Sequence, residues 1–437
     1  MSSKFMKSTA VLGTVTLASL LLVACGSKTA DKPADSGSSE VKELTFTVYV
    51  DEGYKSYIEE VAKAYEKEAG VKVTLKTGDA LGGLDKLSLD NQSGNVPDVM
   101  MAPYDRFTVG SLGSDGQLSE VKLSDGAKTD DTTKSLVTAA NGKVYGAPAV
   151  IESLVMYYNK DLVKDAPFTK TFADLENLAK DSKYAFAGED GKTTAFLADW
   201  TNFYYTYGLL AGNGAYVFGQ NGKDAKDIFT GLANDGSIAG INYAKSWYEK
   251  WPKGMQDTEG AGNLIQTQFQ EGKTAAIIDG PWKAQAFKDF TAKVNYGVAT
   301  IPTLPNGKEY AAFGGGKAWV IPQAVKNLEA SQKFVDFLVA TEQQKVLYDK
   351  FTTNEIPANT EARSYAEGKN DELTTAVIKQ FKNTQPLPNI SQMSAVWDPA
   401  KNMLFDAVSG QFTKDAKTAA NDAVTLIKET IKQKFGE

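Results

Sequence analysis

Residues 44–50 (LTFTVYV) are rich in β-branched and aromatic side chains and predict a strand. The period then changes: Tyr57, Ile58, Val61, Ala62 and Tyr65 fall on one face of a helix, which Gly70 stops. Val71 to Leu75 (VKVTL) restores a strand pattern, so the folded part opens with a βαβ unit and hence a parallel sheet. In such sheets, sites form beyond the strand C-termini. Asp98 to Ala102, Val144 to Ile151, Ser153 to Tyr158 and Lys273 to Ile278 predict further strands. Phe334, Phe337, Leu338 and Leu347 predict buried helix faces late in the chain, and Ala420, Val424, Ile427 and Ile431 form the last apolar stripe.

Two regions break these periods. Residues 199–218 carry Trp200, Phe203, Tyr204, Tyr205, Tyr207 and Tyr216 with a helical rhythm, and most of these rings are expected in the core. Trp200 and Trp319 are assigned to structure. Phe313-Gly314-Gly315-Gly316-Lys317 looks superficially like a phosphate cradle. It lacks the upstream glycine of that motif, and Ala318 stands where a magnesium-binding hydroxyl belongs. Three glycines between two strands suit instead a chain crossing between domains, and Pro357 marks another.

The N-terminus has its own pattern. Lys4 and Lys7 precede a largely apolar stretch from Ala10 to Ala24, which reads as a secretory signal too short to span a membrane comfortably. Leu22-Val23-Ala24-Cys25 closes it with the only cysteine in the chain. The tetrapeptide resembles the lipobox of bacterial lipoproteins, which implies acylation of Cys25 and anchorage at the extracellular face of the cell membrane. Residues 26–40 (GSKTADKPADSGSSE) have no apolar anchor and read as a tether. Close to four hundred residues remain, more than one core usually holds, so two domains are expected.

Composition then narrows the chemistry. Loss of a leader containing Lys4 and Lys7 takes the formal net charge from −7 to −9, and no basic block exists, so nucleic acid is a poor partner. The chain has no histidine, which removes Ser-His-Asp and Cys-His catalysis and histidine metal sites. No EF-hand-type loop is present, so no metal or other cofactor is expected. With one cysteine, stability must come from core size and not from a disulfide.

Chemistry-bearing residues collect at the predicted strand exits. Asp51 and Glu52 follow the first strand, and Tyr104-Asp105-Arg106 follow a later one. Arg106 and Arg363 are the only arginines, so Arg106 suggests a need for a planar fork, with a structural Asp-Arg pair as the alternative. Glu152 follows the strand ending at Ile151. Asp279-Gly280-Pro281-Trp282 presents a large indole at a strand exit.

Tyr104-Asp105-Arg106-Phe107, Tyr158 to Leu162, Asp279 to Trp282, Asn295 to Val298 and Pro388 to Ser394 (PNISQMS) occur in an order that resembles the maltose/maltodextrin-binding proteins of bacterial ABC importers. The resemblance covers nearly the whole mature chain. It implies an α/β, periplasmic-binding-protein-like fold: two α/β lobes joined by a three-crossing hinge, with the ligand cleft between them. The expected division is a signal at 1–24, lipidated cysteine and tether at 25–42, a first lobe at 43–149 and 317–354, and a second at 150–316 and 355–437. The family's hydroxyl-binding Asp-Arg pair falls on Asp105 and Arg106, and further polar positions on Asp51, Glu52, Tyr104 and Glu152. Stacking aromatics fall on Tyr204, Trp282 and Trp397. Departures are Glu52 for a lysine, Ala102 for a tryptophan, Asn202 for a glutamate, and Lys401 for an arginine, Lys401 being kept as a site residue.

A glucosyl unit has an apolar C–H face and a rim of hydroxyls, which aromatic rings and charged groups respectively fit. The reading is a monomeric, lipid-anchored receptor that closes over a maltodextrin or related oligosaccharide and presents it to ABC permease subunits. Carboxylates flanked by aromatics also describe a glycosidase cleft, but no motif sets a proton donor opposite a nucleophile, so no catalytic residue is assigned. A surface adhesin would use the same cleft without a permease.

Overall fold

The computed structural model describes residues 45–50, 52–104, 109–163, 170–222, 224–289, 294–351, 355–409 and 413–436. All fall within one unit, Lys42–Glu437. Cys25, the leader and the tether lie outside the described residues.

The opening unit forms as its periodicity predicts. Strand β1 (Phe46–Val50) alternates buried and half-buried positions, and β2 (Val73–Thr77) pairs with it in parallel. The helix between them, Lys55–Ala69, buries Tyr57, Ile58, Val61, Ala62 and Tyr65, and Gly70 caps it at a φ of 66°. β3 (Val99–Pro103) adds to the other side of β1, again in parallel.

Three strands from far along the chain complete this first sheet. β4 (Ala147–Glu152) and β9 (Phe313–Val320) pair antiparallel, β9 also pairs with β3, and β10 (Ile356–Pro357) flanks β4. The order is β10-β4-β9-β3-β1-β2, with the two-residue strand β11 (Gln385–Pro386) beside the start of β9. A second, four-stranded sheet runs β6-β7-β5-β8, built from β5 (Val155–Asn159), β6 (Phe196–Leu197), β7 (Ala276–Asp279) and β8 (Tyr296–Ala299). The chain therefore leaves the first sheet between β4 and β5 and returns to it between β8 and β9, while β10 and β11 both belong to the first sheet. The expected boundaries at 149/150 and 316/317 fall inside β4 and β9, which are continuous strands.

The glycine run differs from its sequence reading. Gly314, Gly315 and Gly316 stand inside β9 and not between two strands. A Cβ at Gly316 would collide with the Val150 carbonyl and the Tyr104 hydroxyl, and its φ of 148° disfavours any other residue. Close approach of β4 and β3 explains this glycine.

Cores form on both sides. Phe46, Tyr65 and Phe334 stack under the first sheet with Trp319 fully buried nearby. In the second lobe Phe172, Phe196, Trp200, Trp247 and Trp251 form a continuous aromatic cluster. Trp200 and Trp319 are thus structural, and the last helix, Ala416–Phe435, buries Ala420, Val424, Ile427 and Ile431 as its stripe predicts.

Candidate functional site

A cleft of about 1270 Å³ is lined by the first sheet and the turns beside it on one side and by helices and turns around the second sheet on the other. Asp79, Asp85, Pro103, Ser111 and Asp115 belong to the first side, and Tyr204, Tyr205, Trp282, Trp397 and Lys401 to the second. Glu152 and Lys317, on two of the crossing strands, contribute the charge between them.

The aromatic wall is assembled by local signals that are easy to trace. Asn202 caps the helix Phe203–Gly212 by accepting from the Tyr204 amide, which sets Tyr204 and Tyr205 in the first turn facing the cleft. Trp282 follows Pro281 in the turn after β7 and remains 36% exposed, large for a tryptophan in this chain. Its ring lies 6.2 Å from Tyr204 and 6.5 Å from Tyr205, edge to face with the latter. Trp397 opens the helix Trp397–Leu404 and packs edge-on to Phe203 and Phe313.

Beneath this wall sits Asp279, the last residue of β7. Its carboxylate accepts from the Tyr205 hydroxyl at 2.8 Å and from the Gly280 amide at 2.8 Å, fixing both the ring and the turn that carries Trp282. Burial pushes its pKa up to about 6, although both hydrogen bonds pull the other way.

The polar side is dominated by a buried ionic cluster. Lys317 Nζ donates to Glu152 Oε1 at 2.8 Å and to Glu355 Oε1 at 2.7 Å. Tyr54 Oη donates to Glu355 Oε2 at 2.5 Å. Burial raises the Glu355 pKa; it also works against the Lys317 charge, but the two carboxylates outweigh it and hold the ammonium protonated.

Of the residues expected from sequence, Glu152, Tyr204, Trp282, Trp397 and Lys401 are brought together around the cleft. Lys401 pairs with Glu259 at 3.1 Å on its exposed rim. Tyr104 is placed elsewhere: it is buried, donates its hydroxyl to the Val150 carbonyl, and is not among the residues that line the cleft. Glu52 opens a short 3-10 turn, Glu52–Tyr54. Asp51, Asp105 and Arg106 lie outside the described residues. The other arginine, Arg363, is structural, forking onto Asp130 and the Pro357 and Ala358 carbonyls.

Sequence reasoning missed Asp79, Asp85, Ser111, Asp115, Glu259, Ser391 and Asp398 as lining residues, and it missed Lys317 and Glu355. A signal for Lys317 existed: a lone cation inside the apolar run FGGGKAWV. None existed for Glu355. Among the described residues no group of three or more carboxylates, histidines or cysteines is placed to hold a metal ion, and no helix is long and apolar enough to cross a membrane.

A family model described as bacterial extracellular solute-binding protein matches residues 60–376. The chain is 97% identical, over 437 residues and the whole of both chains, to a maltooligosaccharide ABC transporter solute-binding lipoprotein of Streptococcus pneumoniae. It is 49% identical over 415 residues, 95% of each chain, to the maltodextrin-binding protein MdxE of Bacillus subtilis. Among solved structures, MalX from Streptococcus pneumoniae in complex with maltopentaose matches with a TM-score of 0.82 at 95% identity, covering 88% of this chain and 100% of that one. Maltose-bound MalE from Listeria monocytogenes matches with a TM-score of 0.83 at 50% identity, covering 91% and 100%. The two-lobed α/β architecture expected from sequence is the architecture of these neighbours.

Proposed function

We propose, from the premise that the chain belongs to the bacterial extracellular solute-binding proteins, that it is the maltooligosaccharide receptor of an ABC importer, lipid-anchored through Cys25. The observation that carries this reading is the aromatic wall of Tyr204, Trp282 and Trp397 facing Glu152 across a cleft reached from both lobes. Rings cover glucosyl C–H faces, and Glu152, with Asp51, Asp105 and Arg106, takes hydroxyls. Tyr104 acts indirectly, anchoring by its hydroxyl the strand end that leads to Asp105. A sugar that bridges both lobes binds the closed form better, shifting the population toward the form a permease engages. We take the bending points to be the three passages at 149/150, 316/317 and 354/355.

The protein binds its sugar without cleaving it. A glycosidase needs a carboxylic acid that protonates the leaving oxygen. Glu152 is ion-paired to Lys317, and Glu355, whose pKa is raised, is turned to Lys317 and Tyr54 and does not line the cleft. Titration of the mature protein with maltose, maltotriose and maltopentaose, followed by tryptophan fluorescence with an assay for released glucose, tests both parts. Saturable binding with no glucose is expected; no response to any α-glucan sinks the receptor reading, and released glucose sinks the non-enzymatic one.

A further inference from the structure

Each of the three crossings proposed above contributes one charged side chain to a single buried point. Glu152 ends β4, Lys317 lies in β9, and Glu355 immediately precedes β10. The side chains are only 4%, 13% and 10% exposed. Lys317 Nζ sits between the two carboxylates, at 2.8 Å from Glu152 and at 2.7 and 3.0 Å from the two oxygens of Glu355. A fourth element joins them: Tyr54, in the turn that follows β1, donates to Glu355, and its ring lies 5.5 Å from the ammonium. Residues as far as 301 positions apart thus meet around one nitrogen.

Such a cluster is a poor way to gain stability. Taking three charges out of water costs several kcal/mol per ion, and well-packed apolar side chains often do as well. What it does provide is geometry. Only Glu152 and Lys317 of the cluster reach the cleft, and one carboxylate oxygen of Glu152 accepts from Lys317. Glu152 itself lines the cleft, so its carboxylate is presented to a ligand while Lys317 holds one of its oxygens.

We propose that Lys317 is a positioning residue for saccharide binding: it holds Glu152 oriented as a hydroxyl acceptor, and ties β4, β9 and the start of β10 to that carboxylate. This rests on the receptor reading above. Its consequence is that a hydroxyl on Glu152 is sensed at all three passages, because any shift of that carboxylate moves the ammonium that Glu355 and Tyr54 also hold.

Removing the lysine exposes the role. Glu152 then loses the ammonium from which its Oε1 accepts and which holds its carboxylate in place. Lys317→Met alone leaves two buried carboxylates together and risks misfolding. Lys317→Met with Glu355→Gln preserves the cluster's net charge of one negative unit and is the variant of choice.

Maltopentaose affinity is measured at neutral pH for the wild type, the double variant, Glu152→Gln, and the triple variant that combines them. Wild-type binding secures the receptor reading independently; its absence overturns that reading and this inference together. In the double variant we expect affinity to drop by about tenfold, the loss of one charged hydrogen bond, with little further loss when its changes are added to Glu152→Gln, because Lys317 acts through that carboxylate. Wild-type affinity in the double variant overturns the inference. So does an equal loss with and without Glu152 in folded proteins, which would make Lys317 a packing residue only.

Discussion

Asp279 is a carboxylate that the fold buries although its charge would be better solvated. Its native pKa is about 6, against about 3.9 in an unfolded chain. Between these values the native state holds more proton than the unfolded state, so stability falls as pH rises from about 4 to 6 and is level above. The full span is worth about 3 kcal/mol. Asp279→Asn keeps acceptors for Tyr205 and Gly280 and should flatten this slope, read from denaturant unfolding at a series of pH values; an unchanged slope would mean the titration belongs to another group. Trp282→Ala should leave the unfolding midpoint nearly unchanged, since the ring is 36% exposed, yet weaken maltopentaose binding by about tenfold or more. Calorimetric titration checks the affinity and thermal unfolding the stability. Trp282 was legible in the sequence because a Gly-Pro turn directly after an apolar strand leaves a ring no core to enter. Glu355 was not, because its meaning depends on Tyr54 and Lys317, which no local pattern brings together.

Elements defined by short-range period were legible to within a few residues. The helix Lys55–Ala69 buries the five side chains its spacing selects, and Gly70 ends it in the left-handed conformation. β9 shows where period fails. Three glycines next to one another have no side-chain pattern, so the sequence reads as a break, whereas the chain runs straight through with Tyr104, Val150 and Thr384 packed where a Cβ would stand. Gly316→Ala is therefore expected to destabilise by about 2 kcal/mol or more, since it combines overpacking with a disfavoured φ. Guanidinium unfolding measures this, and a change under 0.5 kcal/mol, roughly the size of a surface substitution, would show that the strand relaxes freely.

For the whole molecule, binding and folding are linked. A ligand that binds only the native state at one hundred times its dissociation constant stabilises it by about 2.7 kcal/mol. Thermal scans with maltopentaose should show a shift that grows with ligand concentration, and a concentration-independent midpoint would exclude native-state binding. Two lobes were legible from length and from the opening βαβ unit, but the pairing of β3 with β9 was not, because it joins Met100 to Val320 across the whole second sheet. That pairing also sets a clock. At roughly 5–20 residues per second, the partner of Met100 leaves the ribosome about 10 to 40 s after it. Throughout that interval β3 carries an open ladder edge, so a nascent chain bound for export stays threadable by default, and the first lobe locks only after most of the polypeptide has been made.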